Sequence, residues 1–353
     1  MAELTNPAAA RLGGLKLRPR WDVTVAVLLV ALVAYGFGSE KTFGNALNIS
    51  FLLGNTATIA IVALPMTLLV AAGEVDLSVG SMAGLSGSIM GALWNANWPI
   101  QLIIPVCLIV GLAGGLLNGL LVTRLGLPSL AVTIGTLALF RGVAQIVLGA
   151  NAVSDFPQGY LNFGTGRFGT SAIPYIFVLY LGLLVIAAVA LHATPFGRRL
   201  FAIGANPEAA FFAGVRVNRT KLLMFAVTGL VSSGAGIVWA LHYTSARYDN
   251  ATGLELSVIA AVLLGGVDFD GGRGTIGGAV AGVFLLGTLQ NLLSLKSVSS
   301  DSQTIVTGLL LIASVLGPRI GKQVSEALRR RRAQPPERTA APPGERPVGA
   351  ATP

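Results

Sequence analysis

One arginine lies deep inside an apolar run of this chain. Arg141, in Leu139-Phe140-Arg141-Gly142, falls within residues 128–148. A cation in such a place is expensive and points to function. It can pair with a carboxylate, line a path for a polar solute, or snorkel to an interface. The carboxylates sit elsewhere. Glu74 and Asp76 lie in Gly73-Glu74-Val75-Asp76-Leu77-Ser78-Val79-Gly80-Ser81, where Asp76 or Ser78 can cap a helix and the glycines allow a break. A second Gly-x-Val-Asp stands at Gly265–Asp268, an echo that either marks an internal repeat or arises by chance in a glycine-rich chain. Ser78, Ser81, Asn118 and Arg141 are the candidates for lining a solute pathway. Nothing here predicts an enzyme. No Gly-x-x-x-x-Gly-Lys-Ser/Thr loop is present to cradle ATP phosphates. No acidic dyad or nucleophile elbow stands out. His192 and His242 are far in sequence from each other and from Cys107, so no metal site is expected.

A second kind of chemistry is recognition. Asn206-Pro207-Glu208-Ala209-Ala210-Phe211-Phe212-Ala213-Gly214 reads as a short helix with both ends marked. Asn206 can accept from free N–H groups of the first turn. Pro207 suits the first helical position. Glu208 lies where the helix dipole favours negative charge, and Gly214 can adopt the left-handed conformation that ends a helix. Phe211 and Phe212 then fall in a segment expected to face water. They either insert into a partner's groove or lie back on the membrane interface.

The elements that must position these residues are set by composition. The chain is 53% hydrophobic and 11% charged, with mean hydropathy +0.74, where soluble domains carry roughly 25% charged residues. Apolar windows of about 20 residues recur along it, the length needed for a helical membrane span. The expected fold is an all-α, polytopic bundle of about ten spans: 21–38, 50–71, 78–94, 100–121, 128–148, 174–192, 222–243, 254–267, 275–295 and 302–318. Basic residues cluster at Arg11, Lys16, Arg18 and Arg20; at Arg198, Arg199, Arg216, Arg219 and Lys221; and at Arg319, Lys322 and Arg329 to Arg332. These three regions are expected to be cytoplasmic, and ten spans place both termini there. The division is a basic N-tail (1–20), a transmembrane domain (21–320) with a cytoplasmic loop at 193–221, and a solvated Arg- and Pro-rich tail (321–353) that can rest on anionic lipid. The net charge of +9 follows this topology and implies no nucleic acid. The first span, basic and then apolar, reads as a retained anchor. Trp21 marks the inner interface, and Trp94, Trp98, Trp239 and Tyr243 mark the outer one.

Two features need a structure. Span 254–267 would reach only about 20 Å across a core of roughly 30 Å, so a short or broken crossing is expected. Glycines recur at helical spacing at 111, 115 and 119, at 274, 278 and 282, and at 80, 84, 87 and 91, with Gly229, Ser233, Gly236 and Ala240 forming a similar stripe. Such stripes let helices approach closely or line a path.

Three segments together resemble the permease subunits of bacterial sugar ABC importers, the group of ribose, xylose, rhamnose and autoinducer-2 permeases. They are Gly73–Ser81; Asn118-Gly119-Leu120-Leu121-Val122 with Gly135-Thr136 and Arg141-Gly142; and Phe196-Gly197-Arg198-Arg199 through Gly204–Ala210 and Gly214, followed by Leu264-Gly265-Gly266 and Gly271-Gly272-Arg273-Gly274. Glu74 stands where the family has a small residue. The resemblance implies that Asn206–Gly214 is a coupling helix docking on a separate ATPase subunit, which binds ATP and magnesium, so this chain needs no cofactor. It also implies an extracytoplasmic sugar-binding protein, a second permease copy, identical or paralogous, and a bacterial inner membrane. The rival class is a secondary transporter coupled to an ion gradient, which normally places carboxylates near the midplane. Glu74, Asp76, Asp268 and Asp270 fall near the inner surface instead, and Glu255 near the outer.

Overall fold

The structure is a computed structural model and describes residues 21–314 and 316. The two tails lie outside the described residues, and with them Arg11, Lys16, Arg18, Arg20, Arg319, Lys322 and the arginines from 329 to 332. The described chain is helical, with two isolated β-bridges, Val153 with Ala246 and Arg167 with Pro174. The helices are α1 (Trp21–Ser39), α2 (Ala46–Ala71), α3 (Val79–Asn95), α4 (Ile100–Arg124), α5 (Ser129–Leu148), α6 (Gln158–Thr165), α7 (Tyr175–Ala188, extended by a π turn Val189–Ala193), α8 (Pro195–Ala205), α9 (Pro207–Phe212), α10 (Val217–His242), α11 (Leu254–Leu264) and α12 (Ile276–Leu295). Residues 300–314 are helical again. Seven of these helices are long and apolar enough to cross a membrane: α1, α2, α4, α5, α7 with its π turn, α10 and α12. The chain is thus a polytopic helical bundle, with α3 and α11 shorter than a full span.

α2 is the central rod. Every residue from Thr56 to Ala71 except Ile59 is buried, which is possible only for a helix apolar on all sides. α1 is peripheral and mostly exposed, as a lipid-facing helix should be. The glycine stripes resolve into two different jobs. Along α4, a Cβ on Gly111 would strike Ser233 and the Gly229 carbonyl of α10, and one on Gly115 would strike the Phe225 carbonyl. Gly278 and Gly282 meet the Gly265 and Ala261 carbonyls of α11 in the same way. These are backbone-to-backbone helix crossings of the small-residue kind.

The stripe on α3 does something else. Gly91 faces Ala246, Gly84 faces the carbonyls of Tyr248 and Asn250, and Gly80 faces Ala251 and Glu255. Its main partner is therefore the non-helical segment 243–253, which leads from the end of α10 into α11, while Gly87 faces the Gly236 carbonyl of α10. α11 has only 11 residues, about 17 Å of rise, and this segment leads directly into it.

The Gly-x-Val-Asp echo is out of register. Gly73 (φ 78°) follows α2 and Gly266 (φ 87°) follows α11 as left-handed terminators, with Glu74 N bonded to Leu69 O and Val267 N to Val262 O. The backbone aligns Gly73 with Gly266, whereas the sequence motif aligns it with Gly265.

Candidate functional site

The end of the bundle that carries α8 and α9 is built outward from caps. Thr194 accepts from Phe196 N (3.2 Å) to start α8. Asn206 ends α8 and starts α9, its Oδ1 accepting from Ala209 N at 2.9 Å. Pro207 takes the first helical position and Glu208 the first turn. Gly214 (φ 83°) ends the helix, with Val215 N donating to Ala210 O at 3.0 Å, a Schellman closure. Ala210 is the buried residue of α9. Phe211 and Phe212 stack edge to face, 5.7 Å between centroids, and remain 64% and 79% exposed. Around them Arg198, Arg199, Arg216 and Arg219 are exposed as well.

This capped module is seated on the membrane helices through backbone. A Cβ on Gly204, one turn before α9, would strike the Ala71 carbonyl oxygen and the Gly272 nitrogen. Gly272 N donates to Ala71 O at 2.9 Å, and Gly271 (φ 84°) packs on Gly73 and Gly204. Two loops, the last turn of α8 and the last turn of α2 thus meet at four glycines, largely backbone against backbone. Lys221, near the start of α10, pairs with Glu74 beside the same junction. His192 Nε2 accepts from Ile276 N at 3.1 Å, tying the π turn to the start of α12. At this end Trp21 Nε1 also donates to Leu264 O.

Behind the junction lies a closed polar cluster. Asp76 Oδ1 accepts from Ser78 N (2.8 Å) and Ser78 Oγ (2.6 Å). Asn118 Nδ2 donates to Ser78 Oγ at 2.9 Å and to Asp76 Oδ2 at 3.5 Å. Burial pushes the Asp76 carboxyl up from its ordinary value, and these donors pull it back. Ser78 sits at the N-cap of α3 but makes no side-chain cap bond, because its hydroxyl is spent on Asp76. Ser81 Oγ turns back to Ser78 O. Ser78, Ser81 and Asn118 are all buried.

Arg141 is placed apart from them. Its Nη1 donates to the carbonyls of Tyr248 and Asn250, each at 2.8 Å. With this clamp every carbonyl from Ser245 to Ala251 is bonded: Ser245 O to Asn250 Nδ2, Ala246 O to Val153 N, Arg247 O to Asn250 N, Asp249 O to Thr252, and Ala251 O to Leu254 N. Non-helical backbone in a bilayer requires this complete accounting.

A cavity opens at the opposite end of the bundle, between α2, α10, α11, α12 and the helical residues after 300. None of the four pathway candidates lines it. Its polar residues escaped sequence reasoning because single amides in apolar runs carry no spacing signal. Among the described residues no group of three or more His, Cys, Asp or Glu could hold a metal.

A polytopic bundle with a capped, aromatic-tipped helix seated on its core has the build of a transport permease. The chain belongs to the family described as branched-chain amino acid transport system / permease component, whose model matches residues 48–315. It is 36% identical to the ribose import permease protein RbsC of Bacillus subtilis over 85% of this chain and 92% of that one. It is also 36% identical to the L-arabinose transport system permease protein AraH of Escherichia coli K12, covering 85% and 91%. Identity to the autoinducer 2 import system permease protein LsrD of the same strain is 32%, over 91% and 99%. No solved structure matches the chain.

Proposed function

We propose that this chain is the membrane-spanning subunit of an ATP-binding-cassette importer in the bacterial inner membrane, carrying a monosaccharide or similar small polar solute inward. The relatives named above support the solute class. A separate ATPase subunit would bind ATP and magnesium, an extracytoplasmic binding protein would deliver solute, and a second permease copy would complete the pathway. The termini and the loop 193–221 would face the cytoplasm, in keeping with their arginines. The observation that carries the reading is the pair Phe211–Phe212, exposed at the tip of a helix fixed at both ends. Two benzyl groups held in water are costly and suit a partner's groove. ATP-driven closure of two ATPase subunits would displace α9. The glycine junction would pass that displacement to α2, and the bundle would change state because the partner binds one conformation better than the other.

Two measurements test this. Vesicles containing the chain, its ATPase and its binding protein should accumulate solute only with ATP on the ATPase side; uptake driven by a proton or sodium gradient without ATP would overturn the assignment. Changing Phe211 and Phe212 together to serine should abolish co-purification of the ATPase while membrane insertion persists. Undiminished co-purification would refute the role of α9.

A further inference from the structure

The cavity at the far end from α9 has a volume of about 540 Å³, inside the roughly 300–1,000 Å³ of small-molecule sites. Five amides line it, Asn48, Asn55, Gln290, Asn291 and Gln303, with the Trp239 ring. Polar side chains in spanning helices face protein or a water-filled space, and here they converge on one space.

Their orientations are held by hydrogen bonds within the protein, several of them between lining residues. Asn48 and Asn291 exchange reciprocal hydrogen bonds at 3.1 and 3.0 Å. Gln303 Nε2 donates to Ser294 Oγ and to Val298 O. Asn55 Oδ1 accepts from Tyr243 OH at 3.3 Å and lies 2.8 Å from His242 Nε2. Trp239 is buttressed by Tyr243, 5.0 Å between centroids.

The charge of the lining is as informative as its polarity. No Asp, Glu, Lys, Arg or His lines the cavity. A zwitterionic amino acid moved into it would leave an ammonium and a carboxylate without counter-charges, which disfavours their desolvation. A neutral polyol has no such cost. The Asn48 and Gln303 amide nitrogens are committed to protein acceptors. The amide oxygens of Gln290 and Gln303 and the Asn55 Nδ2 make no hydrogen bond among the described residues and can serve solute hydroxyls, and an indole face matches the C–H face of a sugar ring.

We infer that this cavity is a vestibule in which the chain holds a neutral, polyhydroxylated solute of monosaccharide size and discriminates against amino acids. The inference rests on the permease reading above and adds to it where the solute sits and what class is refused.

The test uses the full complex in vesicles with Ser257→Cys, a near-isosteric change in the lining. The natural Cys107 is buried and provides a silent background. A membrane-impermeant methanethiosulfonate added from the binding-protein side should label Cys at 257. A panel of neutral aldopentoses and aldohexoses should include members that slow labelling at least fivefold, while leucine and valine at equal concentration leave it unchanged. Trp239→Ala should remove that protection. Absence of labelling, labelling that no sugar slows, or protection by leucine or valine would each overturn the vestibule. ATP-dependent uptake, measured on the same vesicles, reports separately on the permease reading and survives if the vestibule alone is wrong.

Discussion

Arg141→Ala should yield a chain that inserts but no longer holds the segment 243–253 in place. The guanidinium serves the Tyr248 and Asn250 carbonyls, and no other donor reaches either of them among the described residues. A fully buried acceptor left without a donor costs about 1–3 kcal/mol; these two are part-buried, so about 2–6 kcal/mol is the upper bound for the pair, against a typical net stability of roughly 5–15 kcal/mol. The segment they belong to leads directly into α11, so its release would also free the start of that helix. The expected result is a fall of many degrees in the thermal midpoint of the detergent-solubilised protein, with new protease cleavage between residues 243 and 253. Arg141→Lys should recover part of the loss, since an ammonium can still donate to carbonyls but lacks the reach and fork of the guanidinium. The outcome separates two roles. Had Arg141 served the solute directly, Arg141→Ala would leave stability and cleavage unchanged and lower uptake alone.

That result bears on what the sequence could and could not reveal. Arg141 was visible as a costly cation at depth, but its partners are main-chain atoms more than 100 residues away, and a carbonyl leaves no mark in a sequence. The α3 glycines were visible too, yet a stripe that receives a helix and one that receives a non-helical segment have the same spacing. The sequence did register the consequence, since the run at 254–267 was too short to cross alone. The ends of α9 were fully legible because caps are local: Asn206, Pro207 and Gly214 act within a few residues of themselves. Ser78 shows the limit of that rule. Its position at the start of α3 was readable, but its hydroxyl turns to Asp76 because that carboxylate is buried beside it. The helical bundle followed from apolar run length. The cavity at the end opposite α9 did not, because its amides come from α2, α12 and the segment after 300 and meet only once the chain is folded.

Gly204→Ala should separate partner docking from transport. Gly204 lies in the last turn of α8, where an added methyl meets only backbone, the Ala71 carbonyl, the Gly272 nitrogen and the Gly271 carbonyl carbon. Backbone cannot rotate aside as a side chain can, so α8 must lift away from α2 or the 271–272 turn must move. Overpacking of this kind typically costs about 1–3 kcal/mol, and the displacement falls between α9 and the helix it is seated on. α9 itself keeps its Asn206 cap, its Gly214 terminator and its two exposed phenylalanines. The ATPase should therefore still co-purify with the variant and hydrolyse ATP, while solute uptake per ATP falls at least tenfold. Gly142→Ala is the control, because a Cβ there meets nothing within 4 Å and uptake should stay at the parent level. The alternative path for a stroke runs through Lys221 and Glu74 into α10. If Gly204→Ala transports normally while Lys221→Met uncouples, the ion pair and not the glycine junction carries the motion, and α10 takes the place of α2 as the first helix to move.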